Sequence, residues 1–202
     1  MEKPAPYNPL DKKRLGESVA RALLAQRICP LAPADSFIGA GIYAIYYVGP
    51  FSAYRKVALR NRADKFEAPI YVGKAVPAGA RKGGLGIDAV TGAVLHRRLV
   101  EHAETIKAAP SLRLKDFACR YLVVDDIWIP LGESLLIETF GPVWNRVVDG
   151  FGNHDPGAGR YNQQRSPWDM IHTGRSWAAK CKANRHSAAE ILAKVAAFLD
   201  AA

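Results

Sequence analysis

The sequence predicts an α+β fold in which a small three-stranded antiparallel sheet is flanked by helices. Three observations carry that prediction. The runs GIYAIYYV (41–48), PIYVGKA (69–75) and FACRYLVV (117–124) are short, rich in β-branched and aromatic residues, and mostly bounded by glycine or proline, as strands are. LHRRLVEHAETIKAA and ESLLIETF instead repeat their apolar residues at helical spacing. The order helix, strand, strand, helix, strand, helix lets the first two strands pair as an antiparallel hairpin. Its connection, residues 50–68, is expanded, which costs little because loop entropy grows slowly with length.

Residues 8–27 open the chain with a helix on which Leu15, Val19, Ala22 and Leu23 recur, and ICPLAPADS breaks it with two prolines. In the first strand Tyr43, Ile45 and Tyr47 share one face while Tyr46 takes the other, a packing position. GIY at 41–43 therefore pairs with YVG at 71–73, not with Tyr47-Val48-Gly49 on its own strand. A Gly-rich basic loop (77–86) leads to a helix with Leu95, Leu99, Ala103 and Ile106 on one face. After Pro130 and Gly132, ESLLIETF forms a helix closed by Gly141-Pro142. Residues 149–165 are a glycine-rich loop with many polar hydrogen-bonding groups. Ser166 and Pro167 start a short helix, and Ser187 with Glu190 forms a capping box on a last helix that buries Ile191, Leu192, Val195 and Phe198. No internal repeat or low-complexity tract interrupts this order.

The chain carries 28 Lys and Arg against 19 Asp and Glu, a formal net charge of +9 and a pI near 9.6. Such an excess favours a polyanionic partner, although a solvated basic surface produces the same number. The excess is concentrated: Arg55, Lys56, Arg60, Arg62, Lys65, Lys74, Arg81 and Lys82 are opposed between residues 53 and 82 only by Asp64 and Glu67. Cys29, Cys119 and Cys181 are widely spaced and form no CxxC pair, which fits reduced thiols in a cytoplasm. No segment approaches the roughly 18 apolar residues of a membrane span, and the polar start does not read as a signal peptide.

Two helices carry candidate chemistry. Glu133 shares a stripe with Leu136, Ile137 and Phe140, so its carboxylate aligns with the apolar face. Two readings stand open there: a first-turn glutamate favoured by the helix dipole, or an acid that binds a metal or accepts a proton. Arg98 and His102 lie four apart, within reach of one small volume; they suit phosphate and proton handling, or a solvated face beside an Arg97–Glu101 pair. Neither zinc-ligand spacing nor a Walker loop is present, and RKGGLG does not match one.

Taken in order, these residues resemble the GIY-YIG nuclease superfamily. Gly41-Ile42-Tyr43 looks like its first motif, Tyr71-Val72-Gly73 like its second, Arg98 like its helix arginine and Glu133 like its metal-binding glutamate. The likeness is closest to the type II restriction endonucleases that cut a GC-rich palindrome. There it extends from residue 39 to about 180, through RLVEH, PVWNRVVDGFGNHDPGAGR and WDMIHTGRSWA. The insertion between the two motifs is longer than the minimal module has, and Val72 varies the second motif. The resemblance implies a single GIY-YIG endonuclease domain over 1–202, with an N-terminal helical extension (1–35), a catalytic core (39–146) carrying the basic insertion 50–68, and a C-terminal DNA-contact loop and helices (147–202).

It further implies magnesium-dependent hydrolysis of double-stranded DNA at a CCGCGG-like site, with Mn2+ or another divalent cation as a substitute. Tyr43 and Tyr71 would be active-site phenols, Tyr43 receiving the proton of the attacking water with His102 in its network. Arg98 would stabilise the phosphate, Glu133 would bind the metal, and Asn145 would support the site. Lys74, Arg62 and Arg81 would meet phosphates, while Asn153, His154 and Arg160 sit in a loop suited to base edges or to a structural Ω-loop. A palindromic target implies a homodimer, and a restriction nuclease implies a paired DNA methyltransferase. The competing expectations are a homing or repair nuclease of the same superfamily, for whose usual added DNA-binding domain the chain has little room, and a catalytically silent DNA-binding module.

Overall fold

Four strands, β1 (Cys29–Pro30), β2 (Gly41–Tyr47), β3 (Pro69–Ala75) and β4 (Phe117–Val123), form one antiparallel sheet in the order β1-β4-β2-β3. The computed structural model describes residues 11–77 and 92–201. Three of the strands are those expected from sequence. The fourth, β1, is a two-residue strip containing a proline, too short to show any alternation. β2 is the central strand, and every residue of it is buried. β2 does pair with β3, but the two tripeptides overlap at one pair only: Tyr43 stands opposite Gly73, whereas Gly41 and Ile42 stand opposite Ala75 and Lys74, and Val72 and Tyr71 opposite Ala44 and Ile45, with an irregularity between Ile45 and Tyr46.

Alternation along β2 divides the core in two. Ile42, Ala44 and Tyr46 look towards α1 (Lys12–Leu24) and α4 (Ile129–Phe140), which pack on each other over that face. Tyr43, Ile45 and Tyr47 look the other way, towards α3 (Val94–Ala108), α5 (Val143–Arg146), α7 (Ala188–Ala201) and a cluster of Tyr54, Trp144, Phe151 and Trp168. Each of these large rings is fully buried, a contribution of about 1.5–3 kcal/mol apiece from burial. Buried His172 packs into the same cluster with its ring tilted against Trp168, Trp144 and Tyr54. It links the Tyr54 hydroxyl (2.7 Å) to Ser111 Oγ (2.8 Å), and burial pushes its pKa down to about 3.

Several elements differ from expectation for local reasons. α1 is capped by Asp11, whose carboxylate accepts from the amides of Lys13 and Arg14. Its buried stripe is Gly16, Ala20 and Leu23, leaving Ala22 exposed. The connection 50–68 is not merely mixed and charged, because α2 (Arg55–Asn61) lies within it. Buried Asn61 ties that connection shut, donating to the carbonyls of Tyr47 and Ala68 and accepting from the Ala68 amide. α4 starts at Ile129, not after Gly132. Pro130 is tolerated in a first turn that has no partner for its missing N–H, and Gly132 admits Val19 of α1, which a Cβ there would strike. The short α6 (Pro167–Ile171) is capped by Ser166, and Ser187 and Glu190 form the capping box of α7. No helix among the described residues is long and apolar enough to cross a membrane, and the three cysteines are free thiols.

Candidate active site

β2, β3 and α3 deliver four side chains to one volume on the Tyr43 face of the sheet. Tyr43 projects from the centre of β2 across Gly73 of β3. A Cβ at residue 73 would collide with the Tyr43 phenol, so the last residue of the YVG motif is glycine because the first motif's tyrosine lies over it. Tyr71 enters from β3, with ring centroids 6.2 Å from Tyr43. α3 buries Leu95, Leu99, Ala103 and Ile106 as its periodicity predicts, and this brings His102 into the interior at 1% exposure. Its Nε2 lies 2.6 Å from the Tyr43 hydroxyl, and its ring stacks on Phe151 (4.4 Å between centroids).

Electrostatics keep this pair neutral. Burial raises the Tyr43 pKa well above 10, with the neighbouring Tyr71 adding to it and Arg98 pulling it back. Burial likewise holds His102 well below 6.5, and the positive charge of Arg98 pushes in the same direction. One proton therefore joins the phenol oxygen and the imidazole. Tyr71 is raised by burial and lowered by Arg98.

One turn before His102, Arg98 reaches the rim of this volume with its side chain 16% exposed. Nη1 donates to Glu101 Oε2 (3.1 Å) and to His154 Nε2 (2.6 Å), and Nη2 donates to the Gly152 carbonyl (2.6 Å). Glu101 thus pairs with Arg98, not with Arg97 as the spacing on a solvated helix face allowed. Gly152 is glycine for a steric reason: its Cα packs against the Tyr71 hydroxyl, which a Cβ would approach to 2.6 Å.

Glu133 stands in the second turn of α4, so a first-turn role beside the helix dipole does not describe it. Its carboxylate, 17% exposed, pairs with Lys74 of β3 at 2.6 Å, and its charge raises both Tyr43 and Tyr71. Among the described residues no group of three His, Cys, Asp or Glu is placed to hold a metal. Asn145, in α5, makes a two-bond clasp on the outer edge of β3: Oδ1 accepts from the Val72 amide (2.8 Å) and Nδ2 donates to the Val72 carbonyl (2.9 Å). The side chain substitutes for a neighbouring strand at the residue between Tyr71 and Gly73.

The remaining sequence-derived candidates lie apart. Tyr47 is a core residue, its hydroxyl accepting from the Phe51 amide (2.8 Å), and Tyr46 packs on the opposite face under Arg120. Arg62 and Arg160 are exposed, and among the described residues neither side chain has a hydrogen bond or ion pair. Asn153 is exposed, while Arg81 falls outside the described residues. Of the basic run, Lys56 is used internally, bonded to the Leu199 carbonyl and Asp200 of α7. Sequence reasoning missed Glu101 as the partner of Arg98, and it missed buried Arg175, whose acceptors are mostly backbone carbonyls that leave no trace in residue types.

No curated protein matches the chain. The family model described as the Eco29kI GIY-YIG domain, a type II restriction endonuclease family, matches residues 35–199 and so takes in β2, β3 and β4, the tyrosine cluster, helices α3 and α4 and the loop on Arg98, leaving out α1 and β1. By that match, which covers most of its length, the chain belongs to the Eco29kI GIY-YIG family of restriction-type DNA endonucleases.

Proposed function

We propose that the protein is a magnesium-dependent type II restriction endonuclease that hydrolyses double-stranded DNA at a GC-rich palindrome resembling CCGCGG, acting as a homodimer alongside a methyltransferase that protects the same site. The observation that carries the reading is the 2.6 Å Tyr43–His102 contact, buried beneath Arg98 and within the electrostatic reach of Glu133. Phosphodiester hydrolysis needs an acceptor for the proton of water and a cation on the phosphate oxygens; these residues are the right types for both.

In this reading the phenol oxygen of Tyr43 takes the water proton while its own proton passes to His102. Arg98 favours that transfer by stabilising negative charge on the phenol, and its field on His102 weakens once a phosphate neutralises the guanidinium. Arg98 leaves Glu101, keeping Gly152 and His154, to bind the scissile phosphate and the charge it gains. Tyr71 borders the same phosphate. Asn145 keeps the β3 edge in register beside Tyr71, and Lys74 gives up Glu133 to meet a DNA phosphate. A single mostly covered carboxylate whose present partner is a cation fits magnesium, which binds through one or two carboxylates and retains waters. The ion would be held by Glu133 and would supply charge neutralisation at the phosphate. Exposed Arg62, with Arg81, would add sequence-independent phosphate contacts, and Asn153, His154 and Arg160 would read base edges. Two copies related by a two-fold axis would cut both strands of a palindrome.

The test is incubation with mixed-sequence plasmid in magnesium and in chelator, followed by sequencing of the ends. Discrete fragments ending at one palindrome, and none in chelator, are expected. Binding without any cleavage would refute the enzymatic reading.

A further inference from the structure

Behind the site, on the far side of the 150–154 loop from Arg98, lies Arg175, 8% exposed and sandwiched between the rings of Trp168 (4.7 Å) and Trp177 (4.6 Å). Its five N–H bonds match five acceptors. Nε and Nη2 grip Asp169 at 2.6 Å each, Nη2 also donates to the Gly150 carbonyl (2.9 Å), and Nη1 donates to the carbonyls of Phe151 (3.3 Å) and Asn153 (3.0 Å). Asp169 is itself fixed, accepting a 2.6 Å bond from Ser166 Oγ. A buried guanidinium this well satisfied is a rigid template, because its planar fork dictates where each acceptor sits.

The pattern of carbonyls is informative. Residues 150, 151 and 153 turn theirs to Arg175; residue 152, between them, turns its carbonyl the other way, onto Nη2 of Arg98 at 2.6 Å. His154, the next residue after the Arg175-bound Asn153, supplies the second contact to Arg98 at 2.6 Å. We propose that Arg175 is a positioning residue for Arg98: by fixing the carbonyls of Gly150, Phe151 and Asn153 it presents Gly152 and His154 so that the Arg98 guanidinium is held over the Tyr43–His102 pair. The proposal rests on the nuclease reading for its kinetic consequence, but the coupling between the two arginines is a physical claim that stands without it. Lysine cannot substitute for this template, since three donors on a point charge do not span five acceptors in one plane.

The test compares Arg175→Lys and Asp169→Asn with the parent and with Arg98→Ala, using full-length protein whose fold is checked by thermal melting. Asp169→Asn removes the ionic grip that fixes the plane of the Arg175 fork while leaving its three carbonyl acceptors in place; it should shift rate and titration in the same sense as Arg175→Lys but less, and it serves where Arg175→Lys unfolds. Three readouts are taken: affinity for cognate duplex in calcium, the single-turnover cleavage rate, and the His154 titration followed by NMR. Arg175→Lys should leave affinity within about threefold and lower the cleavage rate about a hundredfold, the loss expected when a catalytic group is displaced by an ångström or so. Combined with Arg98→Ala it should cause no further loss, because both changes remove the same contribution. In the parent, burial first and the Arg98 charge second lower the His154 pKa, Arg175 adds to that lowering and Glu101, 3.9 Å away, opposes it; Arg175→Lys keeps the charge at residue 175, so the expected move up towards 6.5 in that variant reports the loosened loop and the retreat of Arg98.

Multiplying rate losses in the double variant would overturn the proposal, as would cleavage at the parental rate. If the parent itself cuts no DNA, the nuclease reading fails and the titration decides alone: an unchanged His154 in the folded variants sinks the coupling.

Discussion

Replacing Asn145 separates a residue that holds the site from one that touches its substrate. The side chain closes two hydrogen bonds, at 2.8 and 2.9 Å, on the amide and carbonyl of Val72, a residue with no exposed surface. Asn145→Ala removes both partners at once. A neutral hydrogen bond is worth about 1 kcal/mol net, and an amide left unpaired near a covered strand edge adds part of its desolvation cost, so the loss should be about 2–3 kcal/mol. That is a substantial fraction of a typical folding free energy of about 5–15 kcal/mol, yet leaves most molecules folded. Urea unfolding read by tryptophan fluorescence measures it as a shift in midpoint at constant slope.

Asn145→Asp sharpens the test. An ionised carboxylate still accepts from the Val72 amide but sets its second oxygen against the Val72 carbonyl, so near neutral pH this variant should be at least as unstable as the alanine variant. Once protonated it regains a donor, and the difference from alanine should shrink as pH falls through the carboxyl range. A loss below about 0.5 kcal/mol in Asn145→Ala, together with abolished cleavage, would show that the clasp contributes little and that Asn145 touches substrate instead.

Two further outcomes follow from the same geometry. Arg98→Ala should lower the single-turnover cleavage rate by about a hundredfold or more, as deletion of a transition-state charge donor does; near-normal turnover would remove Arg98 from the phosphate. Stability should fall on mild acidification, because His172 titrates at about 3 in the folded chain against 6.5 unfolded, so the unfolded state binds the extra proton. Its contribution is complete above 6.5 and is lost as pH falls towards 3; between pH 7.5 and 5 it amounts to about 2 kcal/mol, with lowered His102 acting in the same direction. Unfolding free energies that are flat across that window would contradict the burial of both imidazoles.

The elements legible from sequence were those whose signal is local and repeated. The α3 stripe of Leu95, Leu99, Ala103 and Ile106 is buried as its spacing demands, and β3 begins at Pro69 because proline opens a strand that donates nothing there. Pro130 and Gly132 misled in the opposite sense: read as breakers, they belong to the first turn of α4, where helix packing overrides propensity. The site divided along similar lines. Tyr43, Tyr71, Arg98 and Glu133 were readable because their order matches a known motif set, and the structure gathers the first three about His102 with Glu133 paired to Lys74. Arg175, Asn145 and Asn61 act on main-chain groups, which every residue carries alike, so no pattern of side chains announces their partners. A buried arginine also looks, in sequence, like any surface cation.

In the proposed function, Glu133 and the tyrosine cluster cut DNA rather than merely bind it. Single-turnover cleavage and duplex affinity, measured in parallel for the parent and Glu133→Ala in magnesium, test it most directly. Glu133→Ala should bind duplex within a few fold of the parent and cleave it only at background. Cleavage by Glu133→Ala at a rate comparable to the parent would contradict it.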